Sequence, residues 1–221
     1  MEKVTAFKDH QWHGGPVVNG ETLTTGQVNQ VVSPQDLSHQ VGHVYWADAE
    51  GIEQAIATAH NAFPNWSRTS VEMRASALEE FADLMEEHRH ELIALCTLEG
   101  GKLLQDGIDE VREAVDFCRY YAQEARKLYA YEGPLMGPTG ELNELFVQAR
   151  GVFACISPWN FPLAIFTGQV VAALVTGNTV IAKPAEQTSL VAYRAVQLML
   201  EAGIPGDAIQ LLPGTGAEVG S

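Results

Sequence analysis

Val152-Phe153-Ala154-Cys155-Ile156-Ser157-Pro158-Trp159-Asn160-Phe161-Pro162 is the stretch that decides how this chain folds. Its first five residues form a short continuous apolar run, the pattern of a strand covered on both faces. Two prolines then stiffen a turn, each fixing its own φ and restricting the residue before it. From Leu163 to Val175 the composition is that of a buried helix, ended by Gly177. Thr179 to Ala182 is a second expected strand, and Ser189 to Glu201 a helix stopped by Gly203. Ile209 to Leu212 is a third strand, and Gly214 onward opens another helix. A β-α-β-α-β order implies parallel strands joined by right-handed crossovers, an α/β doubly wound sheet of Rossmann-like kind.

Toward the N-terminus, Gly133, Pro134, Gly137, Pro138 and Gly140 mark a turn-rich break, after which Leu145, Val147 and Ala149 alternate as in a strand. Three helices precede the break. Asp48 is placed to cap the first, with Ile52, Ala55, Ile56, Ala59 and Phe63 on one face. Thr69 and Glu72 have capping-box spacing for the second, whose stripe is Leu78, Phe81, Ala82 and Met85. That helix is expected to end near Arg89, with a shorter one from Glu91 to Leu98 stopped at Gly100 and Gly101. The third starts near Asp106, and Ile108, Val111, Val115, Cys118, Ala122, Ala125 and Tyr129 follow at alternating spacings of three and four. Residues 1–47 carry many Gly, Pro, Ser and Thr and read as loop with two or three short strands. The expected division is therefore 1–47, a loop and short-strand segment; 48–132, a helical layer; and 133–221, the first part of a Rossmann-like domain, incomplete at its C-terminus.

The 221 residues are 46% hydrophobic, enough for a packed core. Thirteen basic against 28 acidic residues leave a net charge of −15. A field of that sign repels nucleic acid, which is bound by neutralising phosphates. The longest apolar run, Phe161 to Val175, is interrupted by Pro162, Thr167, Gly168 and Gln169. It falls short of the roughly 20 residues that a membrane helix needs. The start of the chain has no apolar leader, so a cytoplasmic location is expected. The three cysteines are widely spaced, and the pairs His10/His13 and His39/His43 lack a third ligand at a supporting distance, so no metal is expected. Cys155 lies inside an apolar run and reads as a structural thiol.

Three segments carry the chemistry, each at the end of a strand, where open parallel sheets bind ligands. In the first, the stiff turn can aim the Asn160 amide at a ligand, or Asn160 can cap the following helix. In the second, Lys183-Pro184-Ala185-Glu186, Glu186 sits where an acidic residue meets ribose hydroxyls, with Lys183 beside it; a solvated charge pair is the plainer reading. The third, Gly214-Thr215-Gly216-Ala217-Glu218-Val219-Gly220, follows a strand and opens a helix, as a phosphate-binding turn does. It reads GxGxxxG, one residue longer than the usual dinucleotide fingerprint, and glycine clusters also make ordinary turns.

Together, Val152 to Pro162, Lys183 to Thr188 and Gly214 to Gly220 resemble the aldehyde dehydrogenase superfamily, whose members share a PWN turn, a KPAE-like segment and this elongated glycine turn. Gly137 to Glu141, Arg150 to Gln169 and Lys183 to Leu190 look like the dehydrogenase branch found in proline utilization A, where a separate domain oxidises proline. The resemblance implies NAD-dependent oxidation of L-glutamate γ-semialdehyde, in equilibrium with pyrroline-5-carboxylate, to glutamate. It implies that Asn160 donates to the oxyanion, that Lys183 and Glu186 hold the adenosine ribose, and that the backbone of Ile156, Ser157, Pro158 and Trp159 lines the cofactor. Gly216 and Gly220 would let the cofactor approach the last helix. A carboxylate at Glu186 favours NAD over NADP. The family's nucleophilic Cys and general-base Glu lie in motifs beyond Ser221, so the 221 residues alone are expected to be inactive. FAD is expected only in the separate proline-oxidising domain. A full-length enzyme of this branch is expected to be a homo-oligomer, cytoplasmic or peripheral to the inner membrane. Two other readings keep the fold: a non-catalytic NAD-binding or interaction fragment, and an aldehyde dehydrogenase of different substrate, including acyl-CoA-forming types.

Overall fold

A computed structural model describes residues 2–130 and 133–220. The expected layer boundary at residue 132 and the terminal Ser221 lie outside them. The N-terminal segment is richer in strands than its composition suggests. After a short helix α1 (Glu2–Thr5) come β1 (Trp12–Gly14), β2 (Val17–Val18), β3 (Glu21–Thr22), β4 (Val28–Ser33) and β5 (Asp36–Tyr45). β5 is the centre of a three-stranded sheet, antiparallel to β4 and parallel to β1. Gly42 permits the parallel pairing, because a Cβ there would lie 1.9 Å from the Trp12 carbonyl oxygen. Polar residues on both strands hid these pairings from a pattern reading, since Gln30–Gln40 and His13–His43 are cross-strand neighbours.

The helical layer consists of α2 (Ala49–Trp66), α3 (Val71–Glu87), α4 (Arg89–Leu98) and α5 (Leu104–Leu128). Asp48 caps α2 as expected, its Oδ1 accepting the Gly51 N–H at 2.8 Å. Ile56, placed on the buried face by its spacing, is 47% exposed; the packed side is Ala55, Ala59, Ala62 and Trp66, rotated away from Ile56. The cap of α3 is Ser70, whose Oγ accepts the Met73 N–H, while Thr69 donates back to Asn65. The capping-box expectation was one residue early, and Glu72 instead takes Arg126 and Ser76. In α5 the apolar stripe is buried as read, from Val111 through Ala125.

The remaining elements alternate: β6 (Val152–Ile156), α6 (Ala164–Val175), β7 (Thr179–Lys183), α7 (Ser189–Glu201), β8 (Ile209–Leu211) and the single-turn α8 (Gly216–Val219). β6, β7 and β8 are parallel, in the order expected. The sheet continues past β8 into β2 and β3, both antiparallel, giving the order β3-β2-β8-β7-β6. Helices cover both of its faces. Thr179 and Ile181 turn toward α2, where the Thr179 hydroxyl donates to Ala59 O at 2.9 Å and Ile181 joins Ala55, Val18 and Leu212. Val180, Ala182 and Leu211 turn the other way, into a core shared with α6, α7 and the helical layer.

Two expectations fail here. Leu145, Val147 and Ala149 belong to no strand, and Leu145 is 75% exposed; alternation marks a chain able to pair, but no strand among the described residues reaches this one. β6 is not covered on both faces. Among the described residues it is an edge strand with one partner, β7, and of its own residues Cys155 alone is buried. The apolar run reports a surface that needs covering, and what covers it depends on neighbours that the run does not specify.

Candidate functional site

Parallel register brings the three expected segments to one end of the sheet. Ile156, the last residue of β6, pairs with Lys183, the last of β7, and the Ser157 N–H donates to Lys183 O at 3.1 Å. Ala182 pairs with Leu211 of β8, and the Leu212 N–H donates to Ala182 O at 2.9 Å. The proline turn, the Lys183–Glu186 segment and the glycine turn therefore leave the sheet side by side. That end is open. Ile156, Trp159 and Asn160 are exposed, Pro158 is half-buried and Ser157 is buried beneath them.

Asn160 does not cap α6. Its side-chain amide is exposed and has no hydrogen-bond partner among the described residues. The capping is done from outside: Glu110 of α5, 2% exposed, accepts the Leu163 N–H at 3.1 Å and the Ala164 N–H at 2.8 Å through one carboxylate oxygen. Its other oxygen takes Lys102 Nζ at 2.8 Å, and the same ammonium donates to Asn160 O at 2.7 Å and stands 4.5 Å from the centre of the Phe161 ring. Glu99 does the same for α7, its two oxygens accepting the Leu190 and Val191 N–H groups at 2.7 and 2.9 Å. Burial pushes the Glu99 carboxyl up to about 8, against those N–H groups, which favour its ionised form. Both glutamates bring carboxyl oxygens to N–H groups that a helix N-terminus leaves without intrahelical partners. Neither was singled out in the sequence. For Glu110 a signal existed, because Gly107, Glu110 and Ala114 share the buried side of α5, where a carboxylate must find partners.

Lys183 and Glu186 lie close enough to interact. Burial holds the Lys183 ammonium below the usual lysine range, and nearby Glu186 acts against that shift. Lys183 Nζ donates to Pro184 O at 3.2 Å, while Glu186, first residue of a 3-10 turn (Glu186–Thr188), is exposed. In the glycine turn, Gly214 adopts φ +158 and Thr215 caps α8, its Oγ1 accepting the Glu218 N–H. Nothing lies within 4 Å of where a Gly216 Cβ would stand, so its backbone is open to a ligand. At Gly220 a Cβ would fall 2.6 Å from Gly216 O, so tight closure of the last turn requires that glycine.

All three cysteines are free thiols and all are buried. Cys155 is 6% exposed and burial pushes its thiol up to about 11; burial raises Cys96 and Cys118 further. Among the described residues no three His, Cys, Asp or Glu side chains gather into a metal-holding group, and no helix is long and apolar enough to cross a membrane.

The sequence profile of the aldehyde dehydrogenase family matches residues 22–221. Among curated relatives, the bifunctional protein PutA of Escherichia coli (strain K12) is 42% identical over 211 residues, which cover 96% of this chain and 15% of that protein. The 1-pyrroline-5-carboxylate dehydrogenase of Geobacillus thermodenitrificans (strain NG80-2) is 42% identical over all 221 residues, spanning 42% of its length. Among solved structures, proline utilization A of Bdellovibrio bacteriovorus, inactivated by N-propargylglycine, superposes with a TM-score of 0.95 at 40% identity over 99% of this chain and 23% of that one. A 1-pyrroline-5-carboxylate dehydrogenase from Thermus with bound NAD superposes with a TM-score of 0.94 at 35% identity, over 99% of this chain and 43% of that one. The chain thus spans less than half the length of each of these relatives. With the three turns aligned at one sheet end and a family profile running through all of them, this chain belongs to the aldehyde dehydrogenase family.

Proposed function

We propose that the chain forms the cofactor-binding part of an enzyme that oxidises L-glutamate γ-semialdehyde, the open form of pyrroline-5-carboxylate, to glutamate with NAD⁺. The observation that carries the reading is the alignment of the proline turn, Lys183–Glu186 and the glycine turn at one end of the parallel sheet, in a chain 42% identical to 1-pyrroline-5-carboxylate dehydrogenases. The residues present suit a dinucleotide. Glu186 offers an exposed carboxylate to ribose hydroxyls, Lys183 a half-buried ammonium beside it, and Gly216 a backbone without obstruction. Ile156, Ser157, Pro158 and Trp159 supply a stiff wall, and Gly220 closes the last turn. The dinucleotide, when bound, supplies the hydride acceptor. Asn160 supplies an amide donor to the oxygen on which negative charge develops during attack on the aldehyde. The nucleophilic thiolate and the general base come from outside these 221 residues, consistent with three buried thiols whose protons are held by burial. FAD belongs to a separate proline-oxidising domain of the same polypeptide.

The test is NADH formation from NAD⁺ and glutamate semialdehyde, followed at 340 nm, by the full-length gene product and by the 221 residues alone. Turnover only in the full-length protein is expected. Activity in the 221 residues by themselves would make Cys155 the suspect nucleophile. Activity in neither would remove the semialdehyde assignment and direct attention to other aldehydes and to coenzyme A. Within the active enzyme, Glu186→Ala should raise the apparent KM for NAD⁺ by about tenfold, the loss of one charge-assisted hydrogen bond, and leave that for the aldehyde unchanged. If only the aldehyde's KM moves, the ribose assignment is wrong.

A further inference from the structure

The turn that carries Asn160 is poor in backbone anchors. Pro158 and Pro162 have no N–H to donate. From the Ser157 N–H, bound to Lys183 O, to the Leu163 N–H, bound to Glu110, the one hydrogen bond to the turn's backbone among the described residues is that from Lys102 Nζ to Asn160 O. Lys102 is in turn fixed by Glu110, which also holds the first two donors of α6. Both side chains are well shielded, at 13% and 2% exposed, so the pair works where water competes little. Two of the three Lys102 N–H groups go to Glu110 and Asn160 O, and both Glu110 oxygens are engaged, by Lys102 and by the Leu163 and Ala164 N–H groups.

We propose that Lys102 and Glu110 are positioning residues for Asn160: the ion pair clamps the carbonyl of Asn160 and the start of α6 together, so that the Asn160 amide is held at one place and angle. The proposal rests on the reading of Asn160 as the oxyanion donor. A donor displaced by about 1 Å can lose up to roughly 10²-fold in rate without any loss of the donor itself. Glu110→Gln removes the charge that fixes Lys102 while keeping one acceptor for α6. Lys102→Met leaves both of Glu110's bonds to α6 and frees the Asn160 carbonyl.

The experiment is a double-mutant cycle in the full-length enzyme, with Glu110→Gln and Lys102→Met each made with Asn160 present and in an Asn160→Ala background, and kcat, KM and the thermal midpoint measured for each. With Asn160 present, each variant should lower kcat by about 10- to 100-fold with KM for NAD⁺ within about twofold. In the Asn160→Ala background the same changes should cost less than about threefold, because residues acting through one group are not additive. Equal losses in both backgrounds would overturn the proposal while leaving the oxyanion reading intact. An unchanged kcat in Asn160→Ala alone would overturn both. Should Glu110→Gln fail to fold, as a low thermal midpoint would report, Lys102→Met decides by itself, since it leaves the capping of α6 in place.

Discussion

In the full-length enzyme, Asn160→Ala should lower turnover by about 10²–10³-fold and leave the affinity for NAD⁺ nearly unchanged. The magnitude is that of removing one preorganised donor from a site where an oxyanion forms. Its selectivity follows from where Asn160 sits. The amide is exposed at the carboxyl end of β6 and bonds to nothing among the described residues, so its loss exposes no unpaired buried group. The rival role, capping α6, is filled by Glu110. The contact that Asn160 does make, from Lys102 Nζ, goes to its backbone oxygen and survives the substitution. Stability should accordingly change by no more than about 0.5 kcal/mol, as for surface substitutions that remove no contact. Steady-state kinetics with glutamate semialdehyde, paired with a thermal melt, checks both halves. Unchanged turnover in a folded protein would end the oxyanion role, and a large loss of stability would return Asn160 to a structural one.

The legible parts of this fold share a local cause. Gly177 and Gly203 end α6 and α7 with φ of +84 and +89, a conformation that a side chain disfavours, so the glycines mark the boundaries in the sequence itself. Asp48 caps its own helix, three residues from its partner. The aligned turns were legible for the same reason: each directly follows a strand, and parallel pairing does the rest. What escaped depends on distant neighbours. Whether Val152–Ile156 is covered, and whether Leu145–Ala149 pairs at all, is decided by chain far away in sequence. Gln30, Gln40, His13 and His43 form cross-strand contacts without any apolar alternation to announce them. Glu99 and Glu110 were missed because a carboxylate is read by default as solvated. Only the helix N-termini 91 and 53 residues further on make their burial intelligible.

Arg74→Met should destabilise the folded enzyme by about 2–4 kcal/mol, the second large effect that the architecture implies. α6 is the helix that follows the Asn160 turn, and its residues are almost all apolar, so it brings few polar groups of its own to satisfy its ends. The helical layer supplies them. At the N-terminus Glu110 takes two N–H groups. At the C-terminus three successive carbonyls each receive a donor: Trp66 Nε1 to Leu174 O at 3.1 Å, Arg74 Nε to Val175 O at 2.8 Å, and the Tyr129 hydroxyl to Thr176 O at 2.8 Å. A carboxylate at one end and a guanidinium at the other match the helix macrodipole in sign. Arg74 does more than its companions, since it also donates to Thr69 O near the end of α2 and lies 5.4 Å from the centre of the Tyr129 ring. Arg74 is 2% exposed, so methionine would strand the buried Val175 carbonyl and take the donor from the half-buried Thr69 carbonyl while roughly preserving volume. The Cβ position of Gly177 lies 3.4 Å from the guanidinium carbon, which shows how closely the chain is drawn around that group. On a scale of about 2–4 °C per kcal/mol for a domain of this size, the unfolding midpoint should fall by roughly 5–15 °C. Arg74→Lys, which keeps the charge without the fork, should recover less than half of the loss. A midpoint within 2 °C of the parent (on the order of 0.5–1 kcal/mol) would mean that the carbonyls find other partners, and that α6 is held by its apolar surface alone.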